Sequence, residues 1–163
     1  MNDFALAANR ILSEGIRAAM VCGQHGVEYR PALYAWENEL FEQFPQGHQL
    51  LDENEASALI AQVFDACERP APILELVAGF ADPQIGGFAD VEGHRIVIEA
   101  GCLYRYLVLH EIAHLLVPED RHHGPAFTYV LQSLYRFYLQ IPEDGIRVSL
   151  ERNGLPAYTQ LPN

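Results

Sequence analysis

The 163-residue chain has no lysine: all ten of its basic residues are arginine, against 22 acidic ones, and the formal net charge is −12. Such a surface repels phosphate backbones, and no basic run interrupts it, so a nucleic-acid partner is not expected. Cysteine is also scarce. Cys22, Cys67 and Cys102 are odd in number and far apart, with no C-x-x-C pair. That excludes a disulfide framework or a thiolate zinc knuckle, and the three read as buried, reduced thiols. No run of about 18 apolar residues exists, so no membrane span is expected. The opening "MNDFALAANRILSEG" has Asp3 where a signal peptide would carry basic residues, which points to a cytoplasmic protein. Neither an internal repeat nor a low-complexity linker divides the chain. Its length suits one domain over 1–163, with residues 1–28 as an N-terminal helical extension and 156–163 as a frayed tail.

What is present falls into helices, a small sheet, then helices again. Phe4, Ala8, Ile11, Leu12, Ile16, Ala19 and Met20 keep near-helical spacing, which predicts a helix over 4–20. "ALYAWENELFEQF" predicts a second, stopped by Pro45 and Gly47. "ENEASALIAQVFDACER" predicts a third, with Asp52 or Asn54 as its N-cap. "ILELVAGF" and "HRIVIEA" are short and β-branched, and "GFADVEG" supplies a hairpin partner before Gly93. From Cys102 the helical period returns through Leu103, Leu107, Val108, Ile112, Leu115 and Leu116, until Pro118 ends it. Pro125 suits the first position of the next helix, and Gly154 suits the residue after the last one, "EDGIRVSLERN". The order predicts an α+β fold.

"LVLHEIAHLLVPEDRHHGPAF" holds four of the seven histidines. His110 and His114, four residues apart, lie on one helix face and can converge on one zinc. Glu111 sits about 100° around the helix, where it flanks the metal and reaches a water rather than serving as a ligand. A catalytic zinc needs a third protein ligand. The longer metzincin spacing fails, because Val117 and Asp120 stand where glycine and histidine are required. Glu143 or Glu151 could serve from a downstream helix. Cys102 lies too near His110 on the same helix to turn back. His122 and His123 follow a loop long enough to return after Pro118. For the second N–H of a ligand histidine, Glu119 or Asp120 are candidate acceptors. Tyr135 or Tyr138 could stabilise an oxyanion, although core packing is the commoner use of such rings. His25, His48 and His94 are isolated and read as exposed or hydrogen-bonded.

"HEIAHLLVPEDRHHGPAF" resembles the H-E-[ILV]-A-H … H-G-P-x-F signature of a small bacterial metallohydrolase family. More loosely it is similar to the SprT-like and WLM metallopeptidases of the minigluzincin type. The resemblance implies a zincin-like fold, a small antiparallel or mixed sheet beside the active-site helix with packed flanking helices. It implies zinc held by His110, His114 and His123, with Glu111 as general base and Phe127 packing the following helix against the first. "ALYAWENEL" resembles the family's early helix and "HRIVIEA" its edge strand. The likeness does not extend to the cysteine zinc ribbon of the DNA-repair SprT-like proteins. The expected function is a zinc-dependent hydrolase, a metallopeptidase acting on a peptide or protein substrate, with strand Arg95 to Glu99 binding that substrate by strand addition. The rival expectation is a non-catalytic, zinc-stabilised protein-binding module using the same three histidines.

Overall fold

The computed structural model describes residues 6–7, 9–10, 13–14, 29–118 and 123–157. Most of the helix expected over 4–20 lies outside the described residues, as do Cys22, His25, Glu119, Asp120, His122 and the end of the tail. From residue 30 to 152 the chain forms α1 (Arg30–Gln43), a 3-10 turn (Pro45–His48), α2 (Glu53–Ala66), β1 (Ile73–Val77), β2 (Gly87–Asp90), β3 (Arg95–Glu99), α3 (Arg105–Leu116), α4 (Pro125–Tyr138) and α5 (Glu143–Arg152). Five helices beside a three-stranded mixed sheet make the fold α+β. None of these helices is long and apolar enough to cross a membrane.

Local chemistry sets the element ends. Asp52 caps α2 with a reciprocal box: its carboxylate accepts from the Glu55 N–H at 2.8 Å, and the Glu55 side chain accepts from the Asp52 N–H at 2.8 Å. Pro125 occupies the start of α4, where a missing N–H costs nothing. α3 stops at Leu116 because Val117 precedes Pro118 and is pushed out of helical dihedrals. The Arg69 guanidinium donates to the Leu116 carbonyl at 3.2 Å, satisfying one of the orphaned acceptors at that end.

The strand order is β1-β3-β2, with β1 parallel and β2 antiparallel to β3. This corrects one expectation. Arg95–Glu99 is the central strand, hydrogen-bonded on both sides, and cannot add a substrate strand. Its burial on Ile96, Val97 and Ile98 is that of a two-sided strand rather than an edge. β1 and β2 are the two edge strands, and of these β2 is the one packed on α3. Gly87 permits that approach: a Cβ there would stand 3.1 Å from the Val97 carbonyl oxygen and 3.7 Å from Glu111 Cγ.

α3 is the hub. It touches α2, the 3-10 turn, β2, β3 and α4, and is buried nearly all round. Trp36, Phe41, Phe64, Phe127, Ile112 and Tyr135 build one continuous core around it. α1 lies across this core through Leu33, Trp36, Leu40 and Phe41. Its far end is tied to α5 by Glu39, which accepts from Asn153 Nδ2 at 2.8 Å and pairs with Arg152.

Candidate metal centre

His110 and His114 project from α3 toward the start of α4, and His123 meets them there. The backbone of His123 is left-handed, with φ of 56°, a conformation uncommon outside glycine. It stands directly before Gly124 and Pro125, where the chain turns into α4, and that turn directs the imidazole inward. The Phe127 ring, fully buried, underlies all three histidines at centroid distances of 5.1, 4.3 and 4.8 Å. It holds the two helices together at the site.

The three imidazoles are close enough to bind one metal ion: one ring nitrogen from each lies within 4.8 Å of the others. The Nε2 of His123 is 3.2 Å from that of His110 and 3.1 Å from that of His114. Metal–nitrogen bonds of 2.0 Å in a tetrahedron give an edge of about 3.3 Å, so the spacing fits. The chemistry of the donors fits as well. His110 Nδ1 lies 2.9 Å from Glu37 Oε1, which fixes the proton on Nδ1 and leaves the Nε2 lone pair directed at the common point. Burial, then the charges of His110, His123 and Arg30, push the His114 imidazole down to about 2, so it stays neutral. Burial alone would also lower His110; the Glu37 carboxylate, by charge and hydrogen bond, with Glu111 behind it, raises it instead. Three imidazole nitrogens that face one point at this spacing suit a shared cation.

Glu37 is the functional residue that the sequence reading missed. It is buried on α1, and it also accepts a hydrogen bond from the Tyr135 hydroxyl of α4. Burial, then the neighbouring Glu37 charge, raise Tyr135 well above its usual range, so it remains a donor. Tyr135 is thereby engaged behind His110, not turned toward a substrate. The signal was available: Leu33, Trp36, Leu40 and Phe41 define the apolar face of α1, and a carboxylate sits on it at position 37.

Glu111 is buried beside the ligands, with the Ala89 N–H of β2 donating to it. Burial pushes its carboxyl up to about 7; the charge of His110 and the Ala89 hydrogen bond oppose this, and Glu37 adds to it. It stands outside the ligand set. A cleft of about 550 Å³ opens over the centre, bounded by Arg30 and Tyr34, by β2, and by Glu111 and the three histidines. A recess of about 360 Å³ leads off it, past Phe41, His48, Gln84 and Tyr106.

The other candidates lie elsewhere. Glu143 pairs with Arg136, and Glu151 with Arg147, on the surface of α5. Cys67 is buried, Cys102 half-buried, and both are free thiols outside the ligand set. Tyr138 is packed near Cys67. His48 and His94 are exposed, the latter within 3.0 Å of the Pro70 carbonyl oxygen. Comparison with protein-family models, curated proteins and solved structures finds no match in any of the three, so this centre is recognised by its converging imidazoles and the carboxylate beside them.

Proposed function

We propose that this protein is a zinc-dependent hydrolase of zincin-like fold that cleaves peptide bonds. The observation that carries the reading is the convergence of three imidazoles and a buried carboxyl group, that of Glu111, on one open cleft. Three imidazoles suit a borderline metal such as zinc. Zinc held there would supply a Lewis acid and lower the pKa of a water to about 7. Glu37 and Tyr135 hold His110 in its ligand tautomer. Glu111 accepts a proton as the water oxygen bonds to the substrate carbonyl carbon. It then returns that proton to the amine nitrogen as the C–N bond breaks. Its place beside the ligands but outside their set suits it to both duties. Substrate lies along β2, the edge strand that borders the cleft, which takes the part expected of β3.

A binding module held together by zinc would close the fourth position with a side chain. The cleft opens onto the three histidines and Glu111, which favours the hydrolase. Elemental analysis of protein purified without added metal or affinity tag should find roughly one zinc per chain, absent from His123→Ala. Glu111→Gln should keep the zinc and lose hydrolysis of a quenched-fluorescent peptide library. Equal hydrolysis by Glu111→Gln would remove the proposed base. Zinc-loaded wild type that cleaves nothing would favour the module.

A further inference from the structure

We propose that Tyr34 is a catalytic residue, its phenolic O–H donating a hydrogen bond to the carbonyl oxygen of the substrate as that oxygen becomes an oxyanion. The proposal rests on the hydrolase reading. As the water oxygen bonds to carbon and its proton passes to Glu111, the carbonyl electron pair moves onto oxygen. A positioned donor at that oxygen is among the largest contributions an active site makes. It transfers no proton; when the C–N bond breaks, the pair returns to the carbonyl and the hydrogen bond relaxes.

The structure narrows the choice of donor. Tyr135 is fully buried and engaged by Glu37. Tyr138 does not border the cleft, and Tyr106 borders only the side recess. Tyr34 borders both the cleft and the recess, each of which also includes His110 and Glu111. Its ring stands 6.1 Å from the His110 ring and 5.8 Å from the His123 ring, centroid to centroid. The residue is 46% exposed and lies on the open side of the centre.

Register explains why it is there. Tyr34 precedes Glu37 by three residues and shares its face of α1, one turn away. The 2.9 Å contact of Glu37 with His110 locks α1 against the centre. The next turn of that face therefore falls over the ligand rings. Glu111 enters the cleft from the β2 side and Tyr34 from the α1 side, so a carbonyl between them meets a base and a donor on different sides.

The test uses the zinc-loaded full chain and its Tyr34→Phe variant, which removes one oxygen from an exposed ring. Zinc content and melting temperature should be unchanged. On a cleaved peptide, kcat should fall about 100-fold with KM within about threefold. Affinity for a phosphonate analogue of that peptide, which presents tetrahedral oxygens, should fall by a similar factor, while affinity for acetohydroxamate should not change. A merely structural tyrosine would not separate the two inhibitors. Undiminished kcat in Tyr34→Phe, or a loss confined to Arg30→Gln, would overturn the assignment and leave the hydrolase reading standing. Wild type that neither cleaves peptides nor binds the phosphonate would overturn both.

Discussion

Glu111 shows how one buried residue can be costly to the fold and necessary to the chemistry. In the unfolded chain its carboxyl ionises near 4.5; in the folded, metal-free protein burial holds the proton up to about 7. Between those values the folded chain keeps a proton that the unfolded chain has lost. The stability this confers is complete below about pH 4.5 and is lost as pH rises through 7. The loss amounts to at most about 3 kcal/mol. Glu111→Gln cannot ionise and escapes it. Metal-free Glu111→Gln should therefore gain on metal-free wild type from pH 4.5 to 7, with a constant advantage above that. Urea denaturation of both proteins at pH 4, 6 and 8 measures this. A difference independent of pH would mean that the carboxylate is hydrated after all. His123 carries a similar tension in its backbone, since a left-handed, non-glycine residue with a buried ring is held there by its surroundings.

At the scale of elements, α1 brings to the site a residue that the sequence did not single out, Glu37. Its helical pattern was plain, but which of its residues faces a histidine 73 positions later is a property of packing. Glu37 links α1 to α3 through His110 and to α4 through Tyr135, all three groups being buried. Glu37→Ala should weaken zinc binding about 10–100-fold, because His110 loses the partner that fixes its tautomer. Competition against a chromophoric chelator reads this; an unchanged affinity would show that Glu37 is a packing residue only. The helix–sheet–helix order was legible, because apolar spacing changes near Pro70 and changes back near Cys102. So was the His110–Glu111–His114 spacing, which the α-helix fixes within one turn. Strand order was not. "HRIVIEA" borders the motif in sequence and reads as its neighbour, yet the antiparallel return of the hairpin places β2 outside it. The three buried residues at the middle of β3 were the available hint, since an edge strand over a cleft would show one polar face.

The whole molecule sets what the metal contributes. The ligands come from α3 and from His123, two residues before α4. An ion bound only by the folded chain adds stability by mass action, about 4 kcal/mol at a thousandfold excess over its dissociation constant. For a chain of this size that is a rise in melting temperature of roughly 10 °C. The core does not depend on it. Trp36, Phe41, Phe64, Ile112 and Phe127 form one cluster that reaches from α1 through α2 and α3 to α4, built of apolar contacts alone. A small zinc finger without its metal has no such core and unfolds. Here chelation should lower the melting temperature by that order while leaving the far-ultraviolet circular dichroism at 20 °C unchanged. Re-addition of zinc should restore the melting temperature in wild type and in Glu111→Gln, whose ligand set is intact, but not in His123→Ala. Loss of helical signal on chelation would mean that the ion organises the fold rather than serving a site within it. An unaltered melting temperature would mean that the three imidazoles hold no ion.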